Sequence, residues 1–96
     1  SSAASDVYKR QAYDDGVKCL DLVLESLEKD GSVELDFQGV EFVITAFLNP
    51  VIGDLIIKKG PDIMQKVKIT NATRNIIDKI KIVKDGALIK REDLEE

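Results

Sequence analysis

Apolar residues at Val17, Leu20, Val23, Leu24 and Leu27 are spaced by 3, 3, 1 and 3 positions, the period of one helix face. Asp14 and Asp15 stand just before this run, where carboxylates suit a helix N-terminus. Gly31 follows Glu28-Lys29-Asp30 and serves as a stop. A helix over 14–29 is expected. In Ser32–Phe37 the period changes: Val33, Leu35 and Phe37 alternate with Ser32, Glu34 and Asp36, as in a half-exposed strand. Gln38-Gly39 permits a turn. Val40 to Ile44 is a second short apolar stretch.

Helical spacing returns at Phe47, Leu48, Val51, Ile52, Leu55 and Ile56. Two starts fit this helix over 46–57. Thr45 can cap it through its hydroxyl, or Asn49 can cap it with Pro50 at the first helical position. Lys58-Lys59-Gly60-Pro61 ends it. Val67-Lys68-Ile69-Thr70 alternates as a strand, and Asn71 and Thr73 are two candidate caps for a last helix. The face of that helix carries Ile76, Ile77, Ile80, Val83, Ala87 and Leu88. Gly86 weakens it near its C-terminal side.

Strands alternating with helices predict an α/β domain, with helices packed on a mixed or mainly parallel sheet. Two strands are too few for a stable sheet, so a further strand is expected. Residues 1–11, SSAASDVYKRQ, share no periodicity with the rest of the chain. They are expected to be a non-native leader, or to replace a missing N-terminal strand through Asp6–Arg10. The domain is assigned to 12–90, with 91–96 as an acidic tail that frays.

The 96 residues, 44% hydrophobic and 33% charged, are the balance of one small folded domain. No apolar run approaches the roughly 18 residues of a membrane span. No secretory signal is visible. Cys19 is the single cysteine, so no intramolecular disulfide forms, and a reducing, cytoplasmic setting is expected. Its place in an apolar helical pattern reads as a small buried hydrophobe.

The chain has no histidine, which removes the commonest general acid-base group and metal ligand. The glycines form neither a dinucleotide fingerprint nor a phosphate loop. No enzyme, cofactor or metal is expected. Charge is uneven: residues 1–57 hold 4 Lys/Arg against 11 Asp/Glu, and residues 58–91 hold 10 against 3. Lys79, Lys84, Lys90 and Arg91 on the last helix therefore form either a basic recruiting face or an ordinary solvated surface. The second reading is preferred, and nucleic acid is not the expected partner.

Asp36-Phe37-Gln38-Gly39-Val40, followed by Thr45-Ala46-Phe47-Leu48-Asn49, resembles the STAS-like family of bacterial domains of unknown function. That family is similar to the anti-anti-sigma factors. The resemblance covers roughly residues 13–88. It implies a sheet of about four strands backed by helices, with an exposed strand-to-helix turn. In anti-anti-sigma factors this turn carries a serine phosphorylated by a partner kinase, which is also the anti-sigma factor. Ala46 occupies that position here, leaving Thr45 as the candidate phospho-acceptor or simply a cap. The resemblance implies a non-catalytic regulatory module. It would dock an anti-sigma or histidine-kinase-type ATPase through the Thr45–Asn49 turn. Candidate partner-binding residues are Thr45, Phe47, Asn49, Asp36 and Asn71. Asp36 is also read as a brace for its loop, and Asn71 as a cap. The alternative functions are a small-ligand or nucleotide sensor at the same sheet end and nucleic-acid binding through the last helix.

Overall fold

The computed structural model describes the backbone of residues 2–95 and the side chains of residues 9–92. Its first helix, α1 (Ser2–Asp30), starts well before the expected residue 14. Nothing between Ala3 and Asp15 breaks a helix, and Ala, Lys, Arg and Gln favour one. Asp6–Arg10 is therefore helical, and the strand expected there does not form. Asp14 and Asp15 lie inside α1, not at its N-terminus. The helix ends as expected: Gly31 N–H donates to Leu27 O at 2.9 Å.

Strand β1 (Val33–Asp36) pairs in parallel with β2 (Val67–Thr70), in the register Val33↔Val67 to Asp36↔Thr70. The described residues build this two-stranded sheet, not the four strands that the resemblance implies. The apolar stretch at 40–44 adds no strand, because α4 (Arg74–Glu95) captures its carbonyls. Thr73 Oγ1, just before α4, donates to Glu41 O at 2.8 Å, and Lys79 Nζ donates to Val43 O at 2.6 Å.

The segment after this loop is helical in three registers: α2 (Thr45–Leu48), a π-helical stretch (Asn49–Asp54) and α3 (Leu55–Lys59). Neither predicted cap is used. Thr45 is already helical, and the flanking Ile44 supplies no side-chain bond. Pro50 sits inside the helical run. It has no N–H for the ordinary ladder, and its ring crowds the carbonyl four residues back. The wider π register relieves that conflict without ending the run. Leu48, Val51, Ile52, Leu55 and Ile56 from this segment are completely buried or nearly so.

A short 3-10 stretch (Pro61–Lys66) leads into β2. Thr73 caps α4: its Oγ1 accepts the Ile76 N–H at 3.3 Å. Ile76, Ile80, Val83 and Ala87 of α4 are buried as expected, but Ile77 is exposed. Gly86 does not stop α4, and 91–95 continue the helix where a frayed tail was expected.

Two groups of buried side chains form the core. Phe37, Leu48, Ile52, Ile56, Ile76 and Val83 join the 45–59 segment to α4. Leu20, Val23, Leu55 and Val67 join α1 to α3 and the sheet. Half-buried Leu35 and Ile69 touch both groups. The helices thus cover the sheet face carrying Val33, Leu35, Val67 and Ile69. Glu34, Asp36 and Lys68 on the other face are exposed.

Candidate functional site

The C-terminal ends of both strands meet at Asp36. One carboxylate oxygen, Oδ1, accepts the Gln38 N–H at 2.9 Å and Asn71 Nδ2–H at 2.8 Å. The first bond is a local turn closed by an aspartate. The second ties the end of β1 to the residue following β2. Asn71 has φ 55°, a left-handed conformation that asparagine tolerates better than most residues. It turns toward Asp36 and leaves the cap of α4 to Thr73. Alongside, Thr70 Oγ1 donates to Glu34 Oε2 at 2.8 Å.

The chain then turns sharply. Val40 N–H donates to Phe37 O at 2.9 Å, and Gly39 at the third position has φ 82°. That pattern is a type II turn, which needs a residue free of a Cβ there. The Asp-Phe-x-Gly-Val motif therefore encodes a strand end, an aspartate-closed turn and a reversal. The loop over residues 37–44 is fastened at three places: Asp36, Thr73 and Lys79.

Phe42 is 62% exposed at the middle of this fastened loop. Its position is set by contacts more than 30 residues away, which local periodicity does not carry. An apolar groove of about 220 Å³ opens beside the loop, lined by Cys19, Leu35, Phe37, Val43, Phe47 and Val51 among others. Burial raises the Cys19 thiol pKa above its ordinary value, keeping it neutral as one wall of the groove.

The expected site residues separate into three places. Asp36 and Asn71 form the latch. Phe47 lines the groove and packs on the core, half-buried. Thr45 and Asn49, one helical turn apart and both exposed, line a different groove of about 570 Å³ with Tyr13, Ile82 and Lys90. Among the described residues the Thr45 hydroxyl makes no hydrogen bond. The basic stripe is broken up: Lys79 is spent on Val43 O, and Arg91 lies against Gly60, whose added Cβ would meet Nη2 at 3.6 Å. No group of three or more His, Cys, Asp or Glu side chains is placed to hold a metal ion among the described residues. No described helix is long and apolar enough to cross a membrane.

A parallel pair with helices on one face, a crossover through 45–59 and a latched loop at the strand ends define a small STAS-like α/β domain. The family described as STAS-like domain of unknown function matches residues 15–83, and the chain belongs to it. No curated protein and no solved structure matches significantly.

The latch has a pH signature. Its bonds from Asn71 and then Gln38 hold the Asp36 carboxyl below its ordinary value. A carboxyl whose folded pKa lies below its unfolded value stabilises the fold above the unfolded pKa, about 3.9. That contribution disappears as pH falls through the folded pKa. Asp36→Ala should therefore lower the thermal midpoint at neutral pH, and the gap from the parent should narrow steadily below about pH 4. A gap independent of pH would remove the charged latch.

Proposed function

We propose that this domain is a non-catalytic interaction module that docks a signalling partner, a kinase-type ATPase, in a cytoplasmic setting. The docking surface is the 37–44 loop together with the Thr45–Asn49 turn. The observation that carries this reading is Phe42: a large aromatic, mostly in solvent, on a loop fastened by Asp36, Thr73 and Lys79. Exposing such a side chain has no folding benefit. Holding its backbone in advance reduces the entropy lost on binding, and aromatic anchors dominate interface energies. Membership of the STAS-like family supports a regulatory role of the anti-anti-sigma kind.

Thr45 and Asn49 follow this loop in the chain and line the separate groove with Tyr13 and Lys90, and Thr45 presents the hydroxyl that Ala46 lacks. A phosphate on Thr45 would add charge beside Asn49 and oppose docking. Phe47 belongs to the supporting wall, so its replacement chiefly tests folding.

The test measures affinity for the candidate ATPase with Phe42→Ala and Asn49→Asp, each checked for an unchanged thermal midpoint. Phe42→Ala should weaken binding about tenfold or more, as truncated aromatic anchors do. Unchanged affinity in both folded variants would sink the reading. A nucleotide that raises the midpoint of the isolated domain would favour the ligand-sensor alternative, since a ligand at about 100 times its Kd adds about 2.7 kcal/mol.

A further inference from the structure

The basic half of the chain gathers at a second place in the fold. Residues 58–91 hold 10 Lys/Arg against 3 Asp/Glu. On α4 that excess is dispersed, and Lys79 is bound to Val43 O. Ahead of β2 it is concentrated. Lys58 and Lys59 end α3 and Lys66 ends the 3-10 stretch. All three are exposed and line one groove of about 730 Å³, together with Glu28 of α1. Three lysines against one glutamate leave the lining net positive. Their charged groups make no hydrogen bond or ion pair among the described residues.

The floor between these charges is apolar. Leu24 and Leu27, three positions apart on α1, and Ile63 of the 3-10 stretch line it and are half-buried. The same side chains pack against the core group of Leu20, Val23, Leu55 and Val67, so the fold holds them in place. Cations suit the C-terminus of a helix, which accounts for Lys58 and Lys59 but not for an apolar floor between lysines. Lys66 directly precedes β2, and α1 leads into β1. The groove therefore lies by the N-terminal ends of the strands, and the Asp36 latch stands at their other ends. Its walls are helical, with their backbone groups engaged in their own ladders. An extended segment would find no main-chain partner there, whereas a helix arrives with its own bonds made. A nucleic-acid backbone would meet the lysines and leave the floor unused.

We propose that this groove binds an acidic amphipathic helix of a protein partner. Apolar residues at helical spacing cover Leu24, Leu27 and Ile63, and carboxylates along the flank of that helix meet Lys58, Lys59 and Lys66. Charge complementarity selects the acidic flank and rejects a basic one. The site goes beyond the docking reading, because it uses other residues at the other end of the sheet and gives the domain a second binding surface.

The test uses a blocked peptide of about 18 residues, long enough to hold a helix, with leucines at helical spacing and glutamates elsewhere. One control carries lysine for every glutamate, and a second carries serine for every leucine. Titration of the full chain should give saturable binding of the first peptide, weakening as salt is raised. Both controls should bind about tenfold more weakly or worse. The double variant Lys58→Glu, Lys66→Glu changes only exposed side chains, so it should keep the thermal midpoint and weaken the peptide about tenfold or more. Should that variant not fold, the single variant Lys59→Glu takes its place, with weakening again expected. Absent binding, equal binding of either control, or full binding by the folded variant would overturn the proposal. Binding to vesicles of phosphatidylserine and phosphatidylcholine without binding to the peptide would assign the lysines to a membrane surface and overturn it. A parent dimer that excludes the peptide would assign the groove to a second copy, with the same consequence. The peptide assay contains no ATPase. Its failure leaves docking through Phe42 standing, whereas Phe42→Ala without effect on the ATPase removes the docking reading and leaves the groove untouched.

Discussion

Gly16→Ala should destabilise the fold by about 2 kcal/mol, although alanine is the better helix former by about 1 kcal/mol. Gly16 is buried in α1, where the helix meets the 45–59 segment. A Cβ there would lie 2.5 Å from Pro50 Cγ and closer still to the backbone oxygen of Phe47. A carbonyl locked in a helix cannot step aside as a flexible side chain does. Overpacking of this kind costs about 1–3 kcal/mol, sometimes more, and the upper end exceeds the helix gain. For a domain of this size each kcal/mol moves the thermal midpoint by about 4–8 °C, so a fall of roughly 10 °C is expected. Gly86→Ala is the matched control. Gly86 is exposed in α4, and an added Cβ meets nothing within 4 Å. That variant should gain about 0.5–1 kcal/mol. The two substitutions are the same chemically, so their opposite signs isolate the close approach. A neutral or stabilising Gly16→Ala would show that α1 does not press on Phe47 and Pro50.

Features carried by short-range periodicity are readable along the chain. Alternation in SVELDF and VKIT marks the two strands, and the four-residue recurrence of Phe47-Leu48, Val51-Ile52 and Leu55-Ile56 marks a buried helix. Its interruption is not readable: Pro50 predicts a boundary, but the chain keeps turning in a π register, with Pro50, Val51, Ile52 and Gly53 buried. The first helix is misplaced for a related reason. Residues 1–11 share no periodicity with the run from Val17 to Leu27, yet the helix passes through 2–11 without a breaker.

The candidate site is legible in part. Asp36, Gly39 and Asn71 stand out as turn-forming residues in the sequence. The bond from Asn71 to Asp36 spans 35 positions, and that from Lys79 to Val43 O spans 36. No local pattern announces such contacts. Phe42 is the clearest miss. An aromatic in a partly apolar stretch looks like core until the neighbouring carbonyls are known to be held by α4.

Ile76→Ala should have the larger effect, a loss of about 3–4 kcal/mol. Ile76 is 0% exposed, among the buried residues that include Phe37, Leu48 and Ile80. Truncating a buried isoleucine removes its transfer energy and leaves a cavity, together about 2–5 kcal/mol. Domains of this length have about 5–15 kcal/mol in total, so a sizeable share is lost. The damage should also reach the 37–44 loop. The Ile76 N–H bonds to Thr73 Oγ1, which in turn donates to Glu41 O, and Lys79 lies one turn further along α4. Loosening the start of α4 therefore loosens two of the three fastenings around Phe42. Amide exchange across 40–44 should accelerate more than exchange in α1, measured where the variant is still mostly folded. The neighbouring residue supplies the contrast: Ile77 is 44% exposed, and Ile77→Ala should change stability by less than about 1 kcal/mol. Equal losses for the two variants would mean that α4 does not present Ile76 to the core as described. A large loss for Ile76→Ala with uniform acceleration would place the fastening of the loop elsewhere. The expected outcome, a strong loss at Ile76 concentrated in the loop, makes the core and the 37–44 loop one cooperative unit through Thr73.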